Sequence, residues 1–432
     1  MEKGAYFPDC RLLASSFPAS AVATLATGAW PAQHGIVADT WFDPATRKLA
    51  TANDDVMLAS TLASQIAADN RNRVYVVASQ ESHANIFAGG ADARLYWMDD
   101  NGLFATSADT ADWMTNYNNL RAPENFRNNK WTAINSPQGP ALRTLTWTPE
   151  RPAEFMTLYK SSPSGQETLF DFAGKLIQNE KMGQQSSTDF LCILSGSSEL
   201  LGYEQGARSP LMLQLALHLD LRISILLAQL MKVPGENGFS VAVVGGHGAP
   251  PEPTGQEYRE RAAVKGDTIA DAVNRSLTAT ALGRVDKYIY PFLYLDASGF
   301  RDPEPIRLVA ARAAMDHPAV EGYYTAGGAC STRNEWERRF RNSFHPARSG
   351  DLMLSYHSEY VEDYGYGRGV SYGSLYNYDI RVPLFLYGPQ FRPGVYDDPV
   401  ESVDVAPTLA RVAGVGVPSS SVGHVLGEAL LE

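Results

Sequence analysis

The chain has 432 residues, 44% hydrophobic and 19% charged, with 36 Lys and Arg against 48 Asp and Glu for a net charge of −12. That length suits one large α/β core or two domains. The acidic balance, with no Lys/Arg run, argues against a nucleic-acid duplex or an anionic membrane surface as a partner.

In chain order, the opening Met-Glu-Lys-Gly-Ala-Tyr-Phe lacks the apolar core of a signal peptide, and no apolar stretch is expected to approach the length of a membrane span. Apolar periodicity predicts helices over 20–27, 58–70, 169–179, 211–231, 258–282 and 403–412. Short β-rich runs predict strands over 73–78, 189–195, 239–245 and 382–387. This alternation implies an α/β fold, a mainly parallel sheet with helices on both faces, as one domain over 1–432. Residues 101–151, rich in Asn, Trp and Thr, read as a cap or insertion. Residues 322–376, crowded with Tyr, Gly and Arg, read as irregular loops near a cleft. Ligands of open α/β sheets sit beyond the carboxyl ends of strands, so the turns after Ser195 and Gly245 are where a site is expected. Cys10, Cys192 and Cys330 are far apart with no Cys-x-x-Cys spacing, so they form neither a zinc knot nor a disulfide framework. Cys192, inside an apolar run, reads as an inert packing thiol.

Several segments resemble a known family in family order. They are ATLATGAWPAQHGIVADTWFD (23–43), ADARLYW (91–97) with FATS (104–107), FSVAVVGGHGA (239–249), YNYDIRVPLFLYGP (376–389) and VDVAPTL (403–409). Together they resemble the type I phosphodiesterase/nucleotide pyrophosphatase branch of the alkaline phosphatase superfamily, and within it the single-threonine alkaline phosphatases. The resemblance implies a Thr or Ser nucleophile at a helix N-terminus, where free backbone N–H groups receive phosphoryl oxygens. It also implies two zinc ions, roughly 3.5–4 Å apart, that activate the nucleophile and stabilise the leaving oxygen.

Carried over residue by residue, that machinery is largely lost. The nucleophile position falls on Pro18; a small shift would present Ser16 or Ser20 instead, although Ser20 also reads as an N-cap for the helix through Thr27. Asp39 stands where relatives carry a phosphate-binding asparagine, and a carboxylate repels an anion. Glu81 and His83 replace a Lys/Arg phosphate clamp. Of the zinc ligands, one Asp–His pair corresponds to Glu199 and Tyr203, another to Gly246 and His247, and the last His to Tyr372. Phenols are poor zinc ligands beside imidazole, so Glu199 and His247 remain as weak metal candidates. His34 reads as structural, His218 as a packing residue, and His345 and His357 as loop residues.

The strand bearing the family's first Asp ligand would lie ahead of Met1, so a central strand and a wall of the site are expected to be missing from this chain. These readings predict a non-catalytic protein with a binding or structural role, whose pocket is lined by Tyr203 and Tyr372. No cofactor is expected beyond one weakly bound divalent metal such as zinc; the sequence leaves the partner open, a small phosphorylated ligand being one candidate. The alternative is a divergent metal-dependent phosphoric-ester hydrolase using Ser16 or Ser20. The resemblance implies a periplasmic or extracellular location if a signal peptide precedes Met1.

Overall fold

The computed structural model describes residues 3–251, 263–297, 299–332, 335–364 and 371–431. Three sheets organise the chain. In the first, β2 (Arg73–Ala78) lies between β3 (Arg94–Met98) and β5 (Asp189–Leu194), all parallel, with β4 (Phe104–Thr106) antiparallel on the outer edge. The register of β2 on β5 runs from Arg73 opposite Asp189 to Ala78 opposite Leu194. An Arg73–Asp189 ion pair of 2.7 Å clamps its first rung.

The second sheet has the order β6 (Val241–Val244), β11 (Arg381–Tyr387), β1 (Ala5–Arg11), β12 (Gly394–Val395). β11 runs antiparallel to both neighbours, so the expected mainly parallel sheet is corrected to a mixed one. The reason is local. The chain enters β11 from the turn at Asn377–Ile380, which packs at the site end, whereas β6 leaves toward that end. The third sheet is antiparallel and comprises β7 (Arg284–Ile289), β8 (Phe292–Asp296), β10 (Leu352–Tyr356) and β9 (Val320–Thr325).

Helices cover these sheets. α1 (Pro18–Thr27), α3 (Glu81–Ala88) and α10 (Val405–Ala413) surround the site end, with the short α2 (Leu62–Ala67) beside them. α4 (Asp112–Leu120) and α5 (Pro163–Asn179) bury Met114, Tyr117, Phe172 and Leu176 against Tyr75 and Val77 of β2. α8 (Gly266–Ala279) and α9 (Glu304–Met315) pack Ile269, Val273, Ile306 and Ala310 against Phe292 and Leu352. Prolines at the first helical turn start α1, α5 and the long α7 (Pro210–Leu230), where an absent N–H costs nothing.

The structure changes several expected elements. Much of 322–376 is ordered: it contains most of β9, a helix at Glu335–Ser343, and β10, whose five residues are all buried. The five residues Leu352–Tyr356 are too short a run, and the consecutive Gly322, Tyr323 and Tyr324 too irregular, to show a strand period. The helix expected over 258–282 is Gly266–Ala279, preceded by the short strand Ala263–Val264; residues 258–262 lie outside the described residues. The statement that no stretch approaches membrane length is also corrected. Pro210–Gly235 is long and apolar enough by length and composition, with hydropathy 1.6 and 6% of its window buried. His218, Asp220 and Arg222 interrupt its apolar run, which hid it. Arg222 pairs with Glu167 of α5 at 2.8 Å, tying this helix to the body of the protein.

Among the described residues, β5 and β6 are each paired along one edge only. Ahead of them, a Cβ on Gly183 would meet the Pro234 ring, and beyond them their turns converge on Tyr372. Every residue of both strands is partly exposed, whereas Val74–Ala78 of β2 are buried. Among the described residues the two half-sheets are not hydrogen-bonded to each other.

Candidate functional site

The candidate site lies at the carboxyl ends of β5 and β6, beside that of β2. After β5 the chain turns into α6 (Ser197–Gln205), which carries Glu199 and Tyr203 one turn apart. After β6 it passes through Gly246 and His247. The loop ahead of Asn377–Ile380 delivers Tyr372, which is 1% exposed. These three segments are distant in sequence and meet here. Tyr372 packs against Tyr203 with ring centroids 4.3 Å apart and against His247 at 4.4 Å. Its hydroxyl donates to the Glu199 carbonyl at 2.7 Å. The expected convergence of Tyr203 and Tyr372 is therefore present.

The surrounding residues are shaped to hold this phenol. A Cβ at position 202 would run into the Tyr372 hydroxyl, so Gly202 is needed where it stands. Position 246 differs. A Cβ there would meet only the Ala21 Cβ, at an ordinary 3.7 Å, so the backbone does not demand glycine and the missing side chain is not a steric necessity.

The imidazoles at the site contribute little positive charge. His247 makes a 2.6 Å hydrogen bond through Nδ1 to the Gly248 carbonyl, which requires a proton on Nδ1. Burial pushes its pKa down to about 4. His83, buried on α3, is likewise held down to about 4, first by burial and then by the neighbouring His247. Both imidazoles are neutral at pH 7. Glu199 Oε1 accepts from Gln80 Nε2 at 3.2 Å. Glu81, expected beside His83 in a lost phosphate clamp, is exposed while His83 is buried, so the two do not act as a pair.

At the N-terminus of α1, Pro18 occupies the first turn and the Ala19 N–H is donated to Asp39 Oδ1 at 2.9 Å. A carboxylate here receives the backbone donor that would otherwise face an anion. Ser20, one proposed nucleophile, is 0% exposed and donates to the Ile36 carbonyl at 2.7 Å. It is not the N-cap, as its capping reading held; Phe17 is, and Ser20 lies inside the first turn. Ser16 donates to the Ser374 carbonyl at 3.1 Å and accepts from the Gly373 N–H at 3.1 Å, both in the loop that carries Tyr372. Both hydroxyls are engaged by backbone. Replacing Asp39 by Ala is expected to cost about 1 kcal/mol through the lost cap and charge–dipole contact, with Asn retaining most of it. Chemical denaturation of the two variants checks this; equal losses would reject the capping role.

Asp379 is a residue that sequence reasoning missed. It is fully buried, accepts from Ser374 Oγ at 2.5 Å, and has its carboxyl pushed up to about 7 by burial. Its signal was its place in the Tyr-Asn-Tyr-Asp segment, read only for family likeness. His34 is the structural residue expected: the Ile36 N–H reaches its Nδ1 at 3.1 Å, which leaves Nε2–H to donate to Thr24 Oγ1 at 3.2 Å.

Among the described residues, no three His, Cys, Asp or Glu side chains form a group that could hold a metal ion. The neutral phenols of Tyr203 and Tyr372 and the bare Gly246 fit a dinuclear zinc centre poorly.

Comparison with known proteins places the fold and the family. The pattern described as "Type I phosphodiesterase / nucleotide pyrophosphatase" matches residues 1–367. The chain is 23% identical to the alkaline phosphatase PafA of Elizabethkingia meningoseptica, over 94% of this chain and 84% of the relative. It is 22% identical to the alkaline phosphatase PhoV of Synechococcus elongatus, over 94% and 82%. The crystal structure of wild-type PafA superposes with a TM-score of 0.86 at 18% identity, covering 99% of this chain and 92% of that one. Murine ectonucleotide pyrophosphatase/phosphodiesterase 5 gives 0.57 at 12% identity. By the extent of that match, the chain belongs to the type I phosphodiesterase/nucleotide pyrophosphatase family.

Proposed function

We infer that this family member is non-catalytic and acts by binding or as a structural component. The observation that carries the reading is the Asp39 carboxylate on the Ala19 N–H. It occupies the helix terminus at which the phosphoryl group of an ester substrate would have to be received. Supporting it, Tyr372 packs its ring on His247 and bonds the Glu199 backbone carbonyl, and both candidate serines are tied to backbone. Under this reading no dinuclear zinc is retained, and any divalent ion at Glu199 and His247 is weakly held. Neutral imidazoles beside the Asp39 and Glu199 carboxylates suit a ligand or partner surface without negative charge, of hydrogen-bonding or aromatic character, better than a phosphate ester. A periplasmic or extracellular location accompanies the reading as an inference from family resemblance.

The test is metal analysis of the purified protein together with turnover of a nitrophenyl phosphate ester. The expected result is no stoichiometric zinc after dialysis and no hydrolysis above the buffer rate, with or without added zinc. Two tightly held zinc ions per chain accompanied by turnover would establish the alternative, a divergent phosphoric-ester hydrolase. In that case Ser16→Ala or Ser20→Ala should abolish the activity.

A further inference from the structure

We propose that a groove between α4, α5 and α7 binds a small monocarboxylate with an apolar body, either a short alkyl chain or a single ring. The groove shares no residue with the candidate site described above, and the proposal does not depend on whether that site is catalytic.

The helical spacing builds two facing stripes. On α5, Asp171, Gly174, Lys175 and Gln178 recur at i, i+3, i+4 and i+7, and on α7 Arg222, Ile225, Leu226 and Gln229 do the same. Residues so spaced share one face of a helix. Both sets line one cavity of about 270 Å³, to which Tyr117, Leu120 and Arg121 at the end of α4 contribute. Gly174 explains why space is left open there. It is buried, brings no side chain into the gap, and a Cβ on it would stand 2.9 Å from Gln229 Oε1. Gln229 instead reaches across and donates through Nε2 to the Gly174 carbonyl at 2.8 Å, which holds the two helices at this separation.

Charge in the groove selects the head of the ligand. Arg121 pairs with Asp171 and with Glu167, the latter at 3.3 Å, while Arg222 pairs with Glu167 at 2.8 Å and Asp171 at 3.8 Å. Two carboxylates therefore answer two guanidinium groups. Lys175 is exposed, makes no ion pair among the described residues, and leaves the groove one net positive charge on a chain whose overall charge is −12. A monoanion matches that charge; a dianionic phosphate exceeds it. Arg222 supplies the second observation. Its Nε–H is buried and has no hydrogen-bond partner among the described residues. Buried donors are nearly always satisfied, and a carboxylate oxygen in the groove is the strong acceptor this one lacks.

The apolar walls select the body. Leu120 is 76% exposed and Ile225 47% exposed, so large apolar groups meet water on both sides of the cavity. With Phe170 and Leu226 they form the surface that an alkyl chain or ring would cover. Small-molecule pockets run from roughly 300 to 1,000 Å³, and a space at the low end of that range holds one chain or one ring.

Titration calorimetry of the whole chain with octanoate tests the proposal. The expected result is one octanoate bound per chain with a Kd below about 1 mM, and no saturable binding of octylamine. Lys175→Glu reverses the lone charge and Leu120→Asp places a charge on the apolar wall, so each should weaken octanoate binding at least about tenfold. Both side chains are exposed, so the fold should persist, and circular dichroism verifies that it does. Absence of saturable octanoate binding would overturn the proposal, as would equal binding of octylamine or an unchanged affinity in either variant. Octyl phosphate binding more tightly than octanoate would also overturn it, by assigning the groove to a doubly charged head. Metal content and ester turnover concern the other site, so failure of one reading leaves the other standing.

Discussion

Replacing Tyr372 with alanine is expected to lower stability by about 3–5 kcal/mol, the cost of emptying a large buried aromatic site. The ring is packed on Tyr203 and His247, and its hydroxyl satisfies the Glu199 carbonyl. Tyr372→Phe keeps the ring and loses the donor, so about 1–2 kcal/mol is expected from an unsatisfied buried acceptor. Gly202→Ala should behave as the mirror image, since its methyl group would strike the same hydroxyl and overpacking costs about 1–3 kcal/mol. Denaturant midpoints at constant slope read all three. A Tyr372→Ala variant within 1 kcal/mol or so of the parent would show that this phenol is a dispensable surface group.

The second large effect is acid sensitivity. Burial holds His34 down to about 3 and His83 down to about 4. Above pH 6.5 both folded and unfolded chains carry these imidazoles neutral, and no pH dependence arises from them. Between about 6.5 and 4 the unfolded chain takes up protons that the folded chain refuses, so stability falls as pH falls, on the order of 3 kcal/mol for each. Asp379 and Glu362 work in the opposite sense. Both are pushed up to about 7 by burial, so their contribution is fully present below their unfolded values and is lost as pH rises through 7. The parent profile mixes the two slopes, and variants separate them. His83→Gln should gain relative to the parent on going from pH 7 to 4.5, whereas Asp379→Asn should gain on going from pH 5 to 8. A stability difference that stays constant with pH in either variant would contradict the assignment.

What was legible in the sequence, and what was not, follows from the range of the interactions involved. Strand β2 was read with its observed bounds, Arg73–Ala78, because a continuous β-branched run bordered by polar residues is a local signal. α5 begins at Pro163, six residues before its apolar periodicity was recognised, because its start is marked by a Ser162 cap and a proline rather than by hydrophobic spacing. The antiparallel sense of β11 and the order within 322–376 depend on partners far along the chain, which periodicity does not reveal. At the site, the sequence identified the residues but not their arrangement. The sequence placed Tyr203 and Tyr372 in one pocket, but nothing in it brought their rings together with His247. The fit of Gly202 under Tyr372, and the reach of Asp39 to α1, had no sequence signal, since each depends on the spacing of two separate segments. The carboxylate of Asp39 was expected to repel an anion, and its contact with Ala19 gives it a more direct part.

That contact has a consequence for competition. A group tethered to the fold acts at an effective concentration of order millimolar or higher and never diffuses away. Free phosphate arriving at α1 would have to displace an occupant of like charge held there by the chain itself, and a ligand lacking negative charge meets no such rival.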